Sequence, residues 1–436
     1  MSAPALARRE APAYALAPQG LPRLLAAVPA HGAMSLERHH AVHGPAPFAR
    51  GRRAGHVDLS EELQRSGLRG RGGAAFPTAA KLRAVRSARG RPVVLVNAAE
   101  SEPASAKDRL LTAALPHLVL DGAWLAAQAL GARELVVGVC ETARASGDAL
   151  AVAIAERAHL RGAPRTQLLN VPHRYVASQE TALASFAAGG PALPTFAPPR
   201  PSERGVRGRP TLVLNAETSA HVALIARHGG HWFRELGTAA QPGSALVTLS
   251  GAVARPGVYE IEPGSSLASL LHAAGGTTAQ VRALLAGGYG GAWIGAEQLD
   301  GLALSHEGLS AHGASLGAGV LALLSADACP VAEVARLARW LAAEGAGQCG
   351  PCTHGLDAIA AELCALAAGG AGAGAPARLE RLAALVRGRG ACAHPDGAAR
   401  MTASALGVFA VELADHARHG PCERCLRTPE LALERP

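Results

Sequence analysis

The chain is 436 residues long, enough for two to four domains and a sizeable core. Hydrophobic residues at 49% and charged residues at 17% exclude general disorder, and no run of about 18 apolar residues escapes charges or loop breakers, which excludes a simple membrane span. The net charge is +8, yet aromatic residues are only 3%, so stacking platforms for nucleic acid are missing and a solvated basic surface is the plainer reading.

Only two of the 42 basic residues are lysines, Lys81 and Lys107, and only three asparagines occur, Asn97, Asn170 and Asn215. Positions that escape such a bias are informative, and both lysines fall within 67–110. The first thirty residues lack the apolar core and cleavage site of a secretory signal, so a cytoplasmic chain is expected. Its eight cysteines crowd toward the C-terminus, which in a reducing compartment favours metal or redox chemistry over disulfides.

In chain order, residues 1–55 read as an extension that orders only in part. A helix over 58–66, with Asp58 and Glu61 at capping-box spacing, ends at Gly67; a glycine-rich loop, GLRGRGGAAFPT (67–78), leads into a helix over 79–89. Apolar runs at 92–96, 134–140, 166–171 and 211–215 read as buried strands separated by helical patterns at 115–130, 142–161 and 218–228, which predicts an α/β domain over 56–242. The period changes near 243. Strand-like alternation over 244–267 about a Pro256-Gly257 turn, then a helix over 268–274, predicts a small α+β module to residue 330. Helical patterns at 331–344, 352–367, 377–387 and 398–418 predict a bundle over 331–420, before a tail (421–436) carrying a CxxC.

Three constellations carry chemistry. The loop at 70–75 brings glycines and the cations Arg69, Arg71 and Lys81 to a helix start, which suits a phosphate or a flavin; a tight turn between helices is the bland alternative. The strand at 92–96 ends in Asn97, Glu100, Ser101 and Glu102, and that at 211–215 in Asn215, Glu217 and Thr218. Strand ends of this kind line ligand crevices in open α/β sheets, while local helix capping explains any single residue equally well. Finally, Cys349-Gly-Pro-Cys352 stands at a helix start, with Cys392 at another. Together they suit an iron–sulfur cluster one ligand short, with His354, His394 or solvent to complete it, or else zinc. Cys422 and Cys425 lie about 30 Å away along a helix and are poor candidates for that gap.

In this order, SGLRGRGGAAFPTAAK (66–81), NAAESEPASAKDR (97–109), YVASQETAL (175–183), PTLVLNAET (210–218) and GQCGPC (347–352) resemble the NADH-binding flavoprotein subunit of respiratory complex I and its relatives in NAD-linked hydrogenases and formate dehydrogenases. The resemblance runs from about Leu63 to Gly420. It implies an α/β FMN-binding domain, a small β-grasp-like soluble-ligand-binding (SLBB) α+β module, and a C-terminal four-helix bundle holding a 4Fe-4S cluster. By position, Gly70, Arg71, Gly72, Gly73 and Lys81 would embrace the flavin phosphate and ribityl chain. Asn97, Glu100, Ser101, Glu102, Asn215 and Thr218 would line the flavin pocket, with Tyr175 and Glu180 near the nicotinamide; Glu102 and Glu180 are the candidate catalytic groups. Cys349, Cys352 and Cys392 would hold the cluster. The implied activity is that of an NADH dehydrogenase (quinone)-like subunit, passing electrons from NADH through FMN and the cluster to complex I-like or ferredoxin-like partner subunits, with the chain peripheral to a membrane complex.

The sequence departs from the family pattern at Ala99, where a carboxylate is usual, and at Ser178-Gln179, where Gly-Glu is usual. It departs again at Ala197-Pro198-Pro199-Arg200-Pro201, where Lys-Pro-Pro-Phe-Pro is usual, so that Ala197 replaces the family's cation and Arg200 its stacking ring, and at Ala346, where the first cluster cysteine would stand. A lost ring or charged hydrogen bond weakens binding by about 1–3 kcal/mol. Two further readings therefore stand beside the first: a diverged flavoprotein that exchanges electrons with a ferredoxin-like partner without productive NADH binding, and a non-catalytic assembly module.

Overall fold

The structure, a computed structural model, describes residues 13–15, 20–47, 58–160 and 162–433; the rest of the expected N-terminal extension lies outside the described residues. Within that extension, strand β1 (Ala13–Ala15) pairs with a later strand, and helix α1 (Leu36–His43) packs onto the α/β domain. His39 of α1 lies 2.8 Å from Asp121, which also meets Arg157 and Arg227. Burial alone would raise the Asp121 carboxyl, but these three partners outweigh it and hold it well below the usual range.

Helix α2 (Leu59–Ser66) begins at Asp58, whose carboxylate accepts the Ser60 N–H at 2.8 Å. Glu61 does not close the expected capping box; it turns to Arg65 at 3.0 Å. After the glycine loop come α3 (Thr78–Ser87), β2 (Val93–Ala98), α4 (Lys107–Ala114), α5 (Pro116–Leu130), β3 (Glu134–Cys140), α6 (Arg144–Arg157), β4 (Arg165–Val171), α7 (Glu180–Ala187), α8 (Pro201–Arg204), β5 (Thr211–Asn215) and α9 (Ala216–Phe233). The four strands form one parallel sheet in the order β4-β3-β2-β5. Alternation decides which face each residue serves: Val94, Val96, Leu212 and Leu214 join one core, and Val93, Leu95 and Val213 the other. Both faces are covered, as a parallel sheet requires. Helices α5 and α9 cross so closely that a Cβ on Gly122 would run into the Ser219 carbonyl.

The next elements are β6 (Ala245–Gly251), β7 (Gly257–Ile261), α10 (Leu267–Ala273), β8 (Val281–Ala286), β9 (Ala292–Gly295), α11 (His306–Ser310) and β10 (Val320–Ser325). They form a mixed sheet, β1-β7-β6-β10-β8-β9. Here too the pleat sorts residues: Leu284, Leu321 and Leu323 enter the core beneath α10, while Ala283, Leu285, Ala322 and Leu324 face the helices that follow.

Those helices are α12 (Pro330–Ala343), α13 (Leu356–Ala368), α14 (Ala375–Val386), α15 (His394–Val408) and α16 (Ala410–His419). The single helix expected over 398–418 is broken at Phe409, which is buried against Trp293 of β9. Among the described residues no single helix is long and apolar enough to cross a membrane.

Candidate functional site

Strand β2 pairs with β3 on one side and β5 on the other, which makes the gap beyond β2 and β5 the topological switch point where open parallel sheets bind ligands. Asn97 and Asn215 are register partners there. Asn97 Nδ2 donates to the Ser178 carbonyl at 2.7 Å. Asn215 accepts the Glu217 N–H at 3.0 Å, so it caps α9 as well as facing the crevice, and its Nδ2 donates to Asp108 Oδ2.

The glycine loop lies over this gap. It is closed by Gly70 N–H donating to the Phe76 carbonyl and Thr78 N–H to that of Leu68, both at 2.9 Å. Gly72 runs so near β5 that a Cβ there would stand 3.2 Å from Asn215 Cβ, and the Arg71 N–H donates to Thr218 Oγ1 at 2.8 Å. Gly73 adopts φ +105°, where a side chain would be strained. Helix α3 begins at once, with no side-chain cap and with Thr78 Oγ1 buried and unpartnered, so its N-terminus is open to an anion. These features fit a bound flavin phosphate.

Arg71 differs from expectation. Its guanidinium donates to the Pro242 and Ser244 carbonyls at 3.2 and 2.9 Å and lies 3.9 Å from Glu217, which fastens the loop to the chain entering β6. Beneath the loop, Lys107 Nζ donates to the Arg71 carbonyl at 3.1 Å and to Glu217 at 2.8 Å, with Asp108 at 3.1 Å. Burial would lower the Lys107 pKa, but Asp108 and Glu217 raise it, so the ammonium is held charged. Burial in turn pushes Asp108 up to about 6, with Lys107 opposing, whereas Lys107, His221 and Arg71 overcome burial to bring Glu217 down to about 2. Sequence reasoning put Glu217 at the strand end and marked Lys107 as one of two lysines, but did not foresee Asp108 or that the three meet in one buried network.

Lys81 and Glu180, expected on two sides of the ligand, meet: Nζ lies 2.6 Å from Glu180 Oε2 and 3.0 Å from the Val213 carbonyl. Gln179, at a departure from the family pattern, is the N-cap of α7 and accepts from Thr181 and Ala182. Ser101 Oγ donates to the Tyr175 carbonyl at 2.7 Å and touches Ser178 Oγ. Glu100 is a helix-capping group instead of a lining residue: it accepts the Asp108 and Arg109 N–H groups at 3.2 and 3.1 Å at the start of α4.

Glu102 is only 5% exposed. Burial pushes its carboxyl up to about 7, although the Tyr289 N–H and the Tyr175 hydroxyl, both at 3.1 Å, hydrogen-bond to it; its Oε1 has no partner. Gly288 leaves just enough room, since a Cβ there would strike Glu102. Tyr175 therefore stands between the sheet edge and the helices. Its ring meets Trp340 and His394 edge-on, and its N–H donates to Glu344 at 2.7 Å.

The cysteine loop starts just beyond Glu344. Cys352 is buried in a π-helical turn (Pro351–Gly355), where its sulfur accepts the Ala346 and Gly347 N–H groups and faces Cys349. Burial, with Cys349 adding to it, pushes the Cys352 thiol up to about 11. Cys392 also faces Cys349, and its sulfur accepts the His394 N–H. Three neighbouring thiols, two of them with N–H donors aimed at their sulfurs, fit an iron–sulfur group. Of the two expected substitutes for Ala346, His354 is exposed, whereas His394 is buried with Nε2 2.8 Å from the Leu341 carbonyl and Nδ1 unpartnered.

The same regions match three known families. The Nuo51 FMN-binding domain matches residues 63–224, the SLBB domain 246–292, and the NADH-ubiquinone oxidoreductase-F iron-sulfur binding region 332–416. The NADH-quinone oxidoreductase F subunit numbered 2 in Rhizobium meliloti (strain 1021) is 34% identical over 380 residues, covering 84% of this chain and 90% of that protein. The chain belongs to the F-subunit family of NADH-quinone oxidoreductases. The F subunit of Escherichia coli (strain K12) is 31% identical over 375 residues, 81% of this chain and 83% of that one. Among solved structures, NAD+-reducing NiFe-hydrogenase in the H2-reduced state superposes with a TM-score of 0.78 at 30% identity over 83% of this chain, which spans 63% of the hydrogenase chain. Within this member of the F-subunit family, the glycine loop, the Asn97–Asn215 crevice and the cysteine loop all fall inside matched regions.

Proposed function

We propose that the chain is the electron-entry subunit of a larger oxidoreductase, which takes hydride from NADH and delivers electrons through a cluster at Cys349, Cys352 and Cys392 to a complex I-like or ferredoxin-like partner. The observation that carries this is the pairing of Asn97 with Asn215 at the switch point, directly beneath a glycine loop with an open helix N-terminus. FMN, when bound, supplies the ability to accept an electron pair and release single electrons. Gly70, Gly72, Gly73 and the start of α3 would hold its phosphate with Lys81. Asn97, Ser101, Asn215 and Thr218 would line the pocket, and Glu180 would orient Lys81. Glu102 would hold a proton on the side facing the helices, with Tyr175 linking that wall to the cysteine loop.

In this reading residues 56–242 are the flavin domain, 243–330 a β-grasp-like module and 331–420 a four-helix bundle in which α15 and α16 count as one bent helix; the chain would act peripherally in its complex. A visible spectrum before and after anaerobic NADH tests the reading. Bleaching of the flavin band is expected. A photoreducible flavin that ignores millimolar NADH would instead support the ferredoxin-linked reading, which is favoured by the exposed segment 197–200 with neither the family's cation nor its ring. Protein that takes up neither flavin nor iron on reconstitution would leave the assembly-module reading.

A further inference from the structure

Five of the eight cysteines have no task in the reading above, and three of them converge with a histidine. Cys329 is the N-cap of α12, and His416 lies in the last turn of α16. Beyond Gly420, at φ 82°, the chain folds back and sets Cys422 and Cys425 about a short turn (Glu423–Leu426). Cys425 Sγ stands 3.3 Å from Cys329 Sγ, 3.9 Å from Cys422 Sγ and 4.0 Å from His416 Nε2, and Cys329 Sγ is 3.6 Å from that same nitrogen. All four donor atoms lie within 4.8 Å of one another.

A zinc tetrahedron with bonds of about 2.3 Å to sulfur and 2.0 Å to nitrogen has edges of about 3.8 Å between sulfurs and 3.5 Å from sulfur to nitrogen. The observed spacings match one ion. They do not suit a cubane, in which each thiolate binds a separate iron and the sulfurs must spread further apart. The surroundings also fit a metal. His416 Nδ1 is 3.4 Å from the Leu366 carbonyl, so an Nδ1–H donated there leaves the Nε2 lone pair facing the sulfurs. The Cys329 sulfur accepts the Ala332 N–H, and the Arg424 guanidinium lies against Cys422, offsetting thiolate charge.

We propose that Cys329, His416, Cys422 and Cys425 bind one zinc ion, which clips the C-terminal tail to the start of α12. Binding displaces one proton from each thiol to solvent and involves no redox step. The site is separate from the Cys349 loop, because α12 is 14 residues long and puts about 20 Å between its two ends. The clipped tail ties two regions together. Glu430 accepts the Ser325 N–H at 2.9 Å at the end of β10 and donates its own N–H to Glu333 of α12 at 2.7 Å; the Leu431 side chain is 3% exposed, and the Tyr289 hydroxyl donates to the Ala432 carbonyl.

The test is metal analysis of the full-length protein, with iron and flavin read on the same sample. About one zinc per chain is expected. Cys422→Ser/Cys425→Ser should lose zinc by more than about tenfold while iron and flavin stay, and Cys392→Ser should lose iron while zinc and flavin stay. Should the double variant fail to fold, zinc-edge X-ray absorption on the unmodified protein decides: three sulfurs and one nitrogen support the site, and a shell of oxygen and nitrogen overturns it. Zinc absent from the unmodified protein, zinc undiminished in the double variant, iron in its place, or a Cys422–Cys425 disulfide found by mass spectrometry under non-reducing conditions would each overturn it. None of these readouts depends on NADH or flavin activity.

Discussion

Lys81 in the first turn of α3 and Glu180 at the first residue of α7 form an ion pair of 2.6 Å across the candidate flavin crevice. Both side chains are partly exposed, so the pair itself contributes less than about 1 kcal/mol to stability. Its value is positional, since it holds the ammonium beside the open start of α3. Lys81→Gln should therefore leave the melting temperature nearly unchanged while weakening FMN retention by about 5–30-fold. Fluorescence titration of FMN into the apoprotein measures this, and unaltered affinity would remove Lys81 from the site.

Glu102 makes stability depend on pH. Its carboxyl titrates near 7 in the folded chain and near the ordinary 4.5 when unfolded, because burial disfavours the charge. Below pH 4.5 both forms are protonated and its contribution is complete. Between 4.5 and 7 the folded chain keeps a proton that the unfolded chain has released, so stability falls as pH rises, by on the order of 3 kcal/mol for this group. Denaturant unfolding of wild type and Glu102→Gln across that range should show the difference between them shifting in this sense; parallel curves would refute it.

Phe196, 72% exposed, is a ring outside the segment in which the family pattern places its own. Thr195 beside it donates its N–H to Thr181 Oγ1 at 2.8 Å, and Thr181 follows Glu180 in α7. That bond ties the segment carrying the ring to the start of α7, and the segment lies next in the chain to the place where the usual stacking ring is replaced by Arg200. Phe196→Ala should raise KM for NADH by about 5–10-fold with kcat little altered, as expected for lost stacking worth about 1 kcal/mol. Steady-state kinetics with ferricyanide as acceptor reads the split.

The cluster prediction concerns Ala346, whose N–H already points at the Cys352 sulfur. Ala346→Cys should raise bound iron to about four per chain and give the paramagnetic signal of a reduced four-iron cluster. If the wild type already has that content, His394→Ala should reduce it, because His394 Nδ1 is a buried nitrogen with no partner near Cys392. An effect of neither substitution on iron would place the fourth ligand elsewhere.

Much of the site was legible in the chain because its signals are local. The glycines of 70–73, the strand ends at Asn97 and Asn215, and the Cys349–Cys352 spacing each report a backbone need that a short window reveals. What escaped detection was long-range. Arg71 stands among phosphate-binding residues but spends its guanidinium on carbonyls about 170 residues away, and Glu100 sits at a strand end but caps the next helix. Tyr289 and Tyr175 meet at Glu102 only because three regions converge there.

The sequence by itself determined the period of the strands and helices of the α/β domain, of the first strands after residue 243 and of the later helices, since alternation and helical spacing follow from which side chains must leave water; β8, β9 and β10, which complete the mixed sheet, were not read from it. Tertiary structure alone decided that β5 returns beside β2, which makes two distant asparagines neighbours, and that the tail folds back over the start of α12. A metal-like grouping of Cys329 with Cys425, 96 residues later, has no local signature, because its geometry comes from the packing of α12 and α16 and the turn after Gly420, not from spacing along the chain.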